Sequence, residues 1–237
     1  MKMLRRCEEL EITDKGPEYY TPKEYEDSLH KLDRIGRYLG GDRATYRALM
    51  RLNRMPSSFL DVGCGGGLFA LKLSRRYPQS RVVGIDISSE AIAFAKRQLV
   101  CKSRSHGHVN FIHMKKPVLD FPANSFDVVM STLMCHHLTD DDIVGFLRNA
   151  HIIAKEAVVI NDLHRHWLAS ASYAVVAPLF FYNRLVINDG LLSIKRSFTR
   201  RDWESYIEKA GIPSREATIS WHWAFRWVVV IDKRRSL

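Results

Sequence analysis

A glycine-rich stretch, residues 59–73 (FLDVGCGGGLFALKL), constrains this chain more than any other part of its 237-residue sequence. Residues 59–62 form a short apolar run that predicts a buried strand. From Leu68 onward, apolar residues recur at helical spacing until Tyr77. The glycines between these segments permit positive φ angles and the close approach of a ligand to the backbone. Strand, glycine loop and helix in this order predict a cradle for a nucleotide cofactor.

Two carboxylates near the glycines indicate which nucleotide the cradle takes. Asp61 lies at the end of the first strand, where it can accept from a ligand ammonium and would repel a pyrophosphate. The next predicted strand, residues 81–86, ends in Asp86, an acceptor suited to two ribose hydroxyls. A dinucleotide fingerprint would need glycine or alanine at position 68, where this chain has Leu68. An amino-acid group at Asp61 and a ribose at Asp86 together describe S-adenosylmethionine (SAM).

The pattern D-x-G-x-G-x-G over residues 61–67, followed by G-x-D over residues 84–86, resembles the cofactor site of class I SAM-dependent methyltransferases. The segment DFPANSFDVVMS, residues 120–131, is a second match to that family. The resemblance implies an α/β fold with a Rossmann-like, seven-stranded, mostly parallel sheet and helices on both faces. The cofactor contacts it implies are those of Asp61, Gly63, Cys64, Gly65, Gly67, Asp86, Ile87, Lys115 and Ser131.

Two further cofactor contacts follow from the same comparison. After the third strand, members of the family commonly have an Asp that contacts the adenine amino group, and Lys115 stands at the matching position. We therefore expect backbone groups of Met114 and Lys115 to serve the adenine edge. In the N-terminal helical cap, Arg43 could meet the cofactor carboxylate, and it is equally suited to be a solvated residue at a helix start.

The length of the chain suits one α/β domain, residues 1–237, with two additions to the sheet. Residues 1–55 predict an N-terminal helical cap whose Leu29, Leu32, Ile35 and Leu39 form one buried stripe. Residues 163–197 are longer than a connector needs and strongly apolar, which predicts an inserted helical lid over the substrate side. An extra helix packed on the core is the alternative.

Methyl transfer from a sulfonium is an in-line displacement in which positioning carries most of the effect. A base is needed only where the nucleophile must lose a proton, and histidine suits that task near neutral pH. His137 follows the fourth strand, and Asp162, His164 and His166 follow the fifth, so these four can converge on one pocket. Packing or capping roles are the alternative. No set of His, Cys, Asp and Glu has ligand spacing on one element, so we expect no metal site.

The charge, the motifs and the cysteines indicate which binding partners and which compartment this chain favours. The net charge of +10 is dispersed, and no basic block is long enough for a nucleic-acid tail, so nucleic acid is an unfavoured partner. Residues 131–134 (STLM) do not resemble the motif that adenine N-methyltransferases place after the fourth strand. The four cysteines form no CxxC pair, which favours a reducing compartment, and the N-terminus lacks the apolar core of a signal peptide. These features predict a cytoplasmic protein.

The combined interpretation is a SAM-dependent methyltransferase acting on a small apolar, aromatic or quinone-like substrate. Residues 133–138 (LMCHHL) resemble a segment found in many small-molecule members of the family, including quinone-ring methyltransferases. A lipid-tailed substrate would also account for the positive charge, through attraction to anionic headgroups at the inner membrane face. Two alternatives remain, an RNA or protein methyltransferase and a non-catalytic SAM-binding regulator. The oligomeric state is open.

Overall fold

The computed structural model describes residues 5–52, 55–101, 108–115 and 119–236, so residues 1–4 and 53–54 of the predicted cap lie outside it. Its centre is a seven-stranded sheet in the order β3-β2-β1-β4-β5-β7-β6. Strand β7 pairs antiparallel with both of its neighbours, and the other pairs are parallel. The strands are β1 (Ser58–Val62), β2 (Arg81–Asp86), β3 (Val109–His113), β4 (Phe126–Thr132), β5 (Ala154–Leu163), β6 (Ala217–His222) and β7 (Arg226–Asp232).

Helices connect the strands, and several begin at residues that cap them. Thr21, Thr139 and Thr199 each accept a hydrogen bond from a backbone N–H of the first helical turn that follows, which satisfies a donor with no partner inside the helix. The helices are α1 (Ile12–Lys15), α2 (Pro22–Tyr38), α3 (Gly41–Met50), α4 (Leu68–Arg76), α5 (Ser89–Cys101), α6 (Asp140–Ile153), α7 (Trp167–Phe180), α8 (Gly190–Arg196) and α9 (Arg200–Lys209).

The apolar core has two parts, one on each face of the sheet. Helices α3, α4 and α5 pack on one face, and α6 and α9 pack on the other. Side chains alternate between the faces along each strand, so Val159 of β5 faces α3 whereas Val158 faces α6. This alternation continues to the carboxyl end of β5. Asn161 therefore points toward the α3 face and Asp162 toward the opposite one.

The seven-stranded, mostly parallel sheet with helices on both faces confirms the fold predicted from the sequence. The buried stripe predicted on α2 is wrong, because Leu32 and Leu39 are exposed. Helix α2 lies over the glycine loop instead of flat on the sheet, with the Leu29 side chain against Gly66. A helix resting on a loop covers only a narrow part of its apolar face, so the rest of the stripe stays in solvent.

The predicted lid segment is helical and unusually apolar at its surface. It contains α7, a π-helical turn at Leu185–Asp189, and α8. Helix α7 has no charged residue, and only Ala169 and Ala177 within it are buried. Among the described residues, no helix combines the length and the apolar character that crossing a bilayer requires. The apolar surface of α7 therefore needs a different explanation.

Candidate active site

The glycine loop is a tight turn held against β2. The backbone N–H groups of Gly63 and Cys64 both donate to the carbonyl oxygen of Ile85, at 2.9 and 3.0 Å. Gly67 has a φ angle of +68° and begins α4. A Cβ atom at this position would overlap the ring of Phe111, so both the backbone conformation and the available space require glycine. Apart from the Cys64 side chain, the loop presents only backbone at the carboxyl edge of β1.

The Asp86 carboxylate fixes the position of the glycine loop at this edge. Its carboxylate accepts hydrogen bonds from the backbone N–H groups of Gly65 and Ser88, both at 2.8 Å. The Ser88 hydroxyl in turn lies 3.2 Å from the hydroxyl of Tyr25 on α2, which links the cap to the loop. A carboxylate oxygen has two lone pairs, so each oxygen of Asp86 can still accept from a ligand hydroxyl.

Asp61 is a buried carboxylate whose hydrogen-bonding capacity is not used within the described part of the chain. Its residue surface is 2% exposed, and no hydrogen bond from the described residues reaches its side chain. Burial raises the pKa of Asp61 to about 7, and repulsion by Asp86 adds to the effect. A buried anion without donors is unfavourable, and a cationic ligand group would relieve it.

Three more polar side chains near Asp61 carry atoms without partners. The buried Thr132 Oγ1, Asn161 Oδ1, and Nε and Nη1 of Arg226 have no hydrogen-bond partner among the described residues. Strand alternation puts all of these on the α3 face, at the edge where β1, β4 and β5 end and β7 begins. Arg226 lies against Gly41 at the start of α3, and burial lowers the pKa of its guanidinium. This edge is polar, buried and only partly satisfied by the protein.

The remaining predicted cofactor residues lie in varied environments. Cys64 is in the loop, and burial raises the pKa of its thiol. Ser131 is buried on the face opposite Thr132, where it accepts from the Cys135 thiol at 4.0 Å. Ile87 exposes its side chain, and its carbonyl oxygen pairs with His113.

The three other residues expected to contact the cofactor are Met114, Lys115 and Arg43. The Met114 N–H donates to the Asp86 carbonyl oxygen at 2.8 Å, so it extends the strand pairing and is not free for an adenine edge. Lys115 and Arg43 both have exposed side chains. Arg226, which the sequence analysis did not select, is the buried guanidinium at the cofactor edge. The sequence feature that could have identified Arg226 is a single arginine at the start of an apolar strand, in the segment AFRWVVVI.

The four predicted catalytic residues fall into two separate groups. In the first, Asp162 accepts from the ring of His136, not of His137, with 2.7 Å between Nδ1 and Oδ1. The ring of His137 pairs instead with Asp14 of α1, also at 2.7 Å. The buried Glu11 lies beside both imidazoles. The N-terminal segment thus supplies two carboxylates that the sequence analysis did not connect with this loop.

In the second group, His164 and His166 pack at the β6–β7 hairpin. The indole N–H of Trp221 donates to His164 Nδ1 at 3.2 Å, and the ring of His166 stacks on Phe225. Burial lowers the pKa of His164 to about 4, with smaller contributions from His166 and Arg165. His164 is therefore neutral near pH 7, and since Nδ1 accepts, Nε2 carries the proton. This arrangement suits a donor better than a base.

Comparison with known proteins agrees with this architecture. Residues 59–157 match the family model of a methyltransferase domain. The ubiquinone biosynthesis O-methyltransferase of Bradyrhizobium diazoefficiens is 30% identical over 161 residues, which are 65% of this chain and 60% of that relative. Ribosomal RNA small subunit methyltransferase C of Pseudomonas putida is 39% identical over 69 residues, 29% of this chain and 20% of the relative.

Among solved structures, human N-acetylserotonin methyltransferase in complex with SAM superposes with a TM-score of 0.64 at 16% identity. The match covers 91% of this chain and 57% of the human one. The chain thus spans only part of each of these relatives. Residues 59–157 are similar to a methyltransferase domain, and the superposition shows that this chain shares the fold of a SAM-binding methyltransferase, the fold that the glycine pattern predicted.

Proposed function

We propose that this chain binds SAM at the carboxyl edge of β1, β4 and β5 and transfers its methyl group to a small apolar acceptor. The observation that carries the proposal is the set of buried polar atoms without partners around Asp61. Such atoms are costly unless a ligand completes their hydrogen bonds. The amino-acid part of SAM has the two charges that this edge requires, an ammonium and a carboxylate.

Each group has a stated task in this proposal. Asp61 accepts from the ammonium of the cofactor, and the Arg226 guanidinium donates to its carboxylate, with Asn161 and Thr132 beside it. Asp86 accepts from the ribose hydroxyls while it keeps the glycine loop in place. When bound, SAM supplies the electrophilic methyl group, and the protein orients the acceptor and excludes water from the line of attack.

Replacement of Arg226 tests the carboxylate contact. We expect Arg226→Met to weaken SAM binding by about 1.5–3 kcal/mol, roughly tenfold to a hundredfold, since charge-assisted hydrogen bonds contribute this much. Calorimetric titration measures the change. Arg235→Met is the matched control, because the Arg235 guanidinium is exposed and donates to Thr218. Equal affinity of Arg226→Met and wild type would contradict the assignment.

The acceptor that we favour is apolar and aromatic, with a lipid tail. The quinone methyltransferase relative supports this class, and so does α7, whose Leu179 and Phe180 are 67% and 70% exposed. An uncharged helix of this kind can rest in the interfacial region of a bilayer and give access to a lipid-dissolved substrate. The net charge of +10 would favour an anionic surface.

Vesicle binding tests the role of α7. We expect the double variant Leu179→Gln and Phe180→Gln to bind anionic vesicles about tenfold or more weakly than wild type. The wild-type protein transfers two large apolar side chains from water into the bilayer when it binds, and the variant does not. Stability should not change, since both side chains are exposed. The control pair is Val100→Gln with Ile152→Gln, two other exposed apolar residues on α5 and α6. Equal loss in both pairs would exclude a specific role for α7.

Transfer of labelled methyl groups tests the reaction. The protein is incubated with methyl-labelled SAM and host-cell extract, and label is measured in lipid, RNA, protein and small polar fractions. We expect label in the lipid fraction, and none above background with Asp86→Ala. Label in RNA would favour the function named for the ribosomal RNA relative. SAM binding without transfer to any fraction would favour a regulator.

A further inference from the structure

We propose that Glu11, His136 and His137 form a binding site for a divalent first-row transition metal such as Zn²⁺. One ligand atom from each of these residues lies within 4.8 Å of those of the other two. Glu11 belongs to the segment before α1, and the two histidines follow β4. The site would join the N-terminal segment to the loop at the carboxyl end of the sheet. It uses none of the residues assigned to the buried edge around Asp61 and does not depend on the proposed methyl transfer.

The spacing of the ligand atoms suits a metal better than a direct hydrogen bond. Glu11 Oε1 is 3.7 Å from His136 Nε2, and Glu11 Oε2 is 3.9 Å from His137 Nε2. Both separations exceed hydrogen-bond distance. Zinc bonds of about 2.0–2.1 Å in tetrahedral geometry place ligand atoms about 3.4 Å apart, so the two separations from Glu11 are close to those of a zinc site.

The other nitrogen of each imidazole is bound to a carboxylate. His136 Nδ1 lies 2.7 Å from Asp162, and His137 Nδ1 lies 2.7 Å from Asp14. An ionised carboxylate only accepts, so both Nδ1 atoms donate, and the nitrogen of each ring that lies toward Glu11 is Nε2, the atom whose lone pair a metal would bind in the neutral ring. Carboxylate–histidine–metal arrangements of this form orient the ligands of known zinc sites.

Burial favours a bound cation, and it has to outweigh the positive charge of Arg196, whose guanidinium donates to the carbonyl oxygens of both histidines. Glu11 and His136 are almost fully buried. The two rings have centroids only 4.3 Å apart, so two imidazolium ions there would repel each other. The Glu11 carboxylate accepts from the Ser193 hydroxyl at 2.7 Å, and a divalent cation would bind its remaining lone pairs together with those of both imidazoles. The His137 side chain is 30% exposed, which leaves a direction for a fourth ligand.

A metal here excludes the expected role of His137 as a general base. A nitrogen that ligates a metal has no lone pair left to take a proton. The donor set of two histidines and one glutamate is that of zinc sites with three protein ligands and one open position. The expectation of no metal was based on spacing within one element, whereas these ligands come from segments more than 120 residues apart in sequence.

Zinc binding by the whole chain tests the proposal. The protein is stripped with EDTA, equilibrated with Zn²⁺ in competition with a chromophoric chelator, and assayed for bound metal. We expect the wild-type chain to bind one equivalent of Zn²⁺ with high affinity. In Glu11→Gln this affinity should fall by about a hundredfold or more. Asp14→Asn should weaken binding about tenfold to a hundredfold, because Asp14 orients a ligand without touching the metal. Co²⁺ substitution should give the visible absorption of a low-coordinate nitrogen and oxygen site.

The control variant is His151→Gln. His151 also pairs with a buried glutamate, Glu216, at 2.8 Å, but lies on α6 away from the cluster. Its replacement should leave zinc affinity unchanged, and circular dichroism should show that every variant is folded. Zinc bound equally by wild type and Glu11→Gln would mean that other histidines or the free cysteines hold it. That result, or no zinc bound by wild type, would overturn the proposal.

Discussion

Asp61→Asn should lose SAM affinity while it gains stability. At pH 8 we expect SAM binding to weaken by about 2–5 kcal/mol, because the ammonium loses the only charged partner assigned to it. The free energy of unfolding should rise in the same variant, since a buried carboxylate without donors is removed. Calorimetry and urea unfolding measure the two effects. A loss of SAM affinity together with a gain in the free energy of unfolding distinguishes a ligand-binding residue from one that stabilises the fold.

The pH dependence of Asp61 adds a second test. Its pKa of about 7 lies above the ordinary value, so the folded state holds the proton more tightly than the unfolded state. The stability that comes from the protonated form is complete below about pH 4 and is lost as pH rises through 7. SAM affinity should change in the opposite direction and increase over the same range. In Asp61→Asn the trend in SAM affinity should disappear, and the trend in stability should shrink to the part that comes from Glu11, whose pKa burial also raises to about 7.

Asp127→Asn is the matched control for this experiment. Asp127 lies at the other end of β4, where its carboxylate accepts from the Ser57 N–H at 2.6 Å. We expect it to bind SAM like wild type at every pH. An Asp61→Asn protein that binds SAM within threefold of wild type would show that Asp61 does not contact the cofactor.

Asp162→Ala should be the most destabilising single change at this end of the sheet. The Asp162 carboxylate accepts from the ring and the backbone N–H of His136 and from the N–H of Leu163, all in the interior. It also attracts the buried Arg226 guanidinium. Its removal leaves these donors without an acceptor, so we expect a loss of about 3–5 kcal/mol in the free energy of unfolding.

Urea unfolding followed by circular dichroism measures this loss. Glu204→Ala is the control, because it removes a carboxylate from an exposed ion pair with Arg200. Such a pair contributes under about 1 kcal/mol. Equal stability of Asp162→Ala and Glu204→Ala would mean that the pair with His136 is no more than a surface contact.

The cofactor edge was predictable because its signals are local. The glycine turn and the carboxylates of Asp61 and Asp86 lie within 26 residues of one another, each at the end of a strand or in the turn after it. Parallel strands bring such ends to one edge, so strand order alone places Asp61 near Asp86. The number of strands in the sheet followed from the resemblance to the methyltransferase family. The prediction of a buried stripe on α2 was wrong because periodicity predicts an apolar face but not how much of that face other residues cover.

The rest of the site depends on contacts between distant segments. His137 pairs with Asp14, 123 residues earlier, and nothing in either local pattern links the two. Of two adjacent histidines, the one that meets Asp162 is decided by a short helical turn, Cys135–His137, which turns His136 inward. The position of Arg226 at this edge depends on β7, an antiparallel strand that begins where the parallel strands end. Sequence periodicity does not encode such tertiary pairings.

Calorimetric titration of the purified chain with SAM, and in parallel with NAD⁺, tests the central claim most directly. The buried anion at Asp61 and the absence of a dinucleotide fingerprint at Leu68 predict that SAM binds with one site per chain at pH 8 and that NAD⁺ does not. Binding of NAD⁺, or no binding of SAM to the folded protein, would contradict the assignment of the glycine loop and of the buried polar edge beside it.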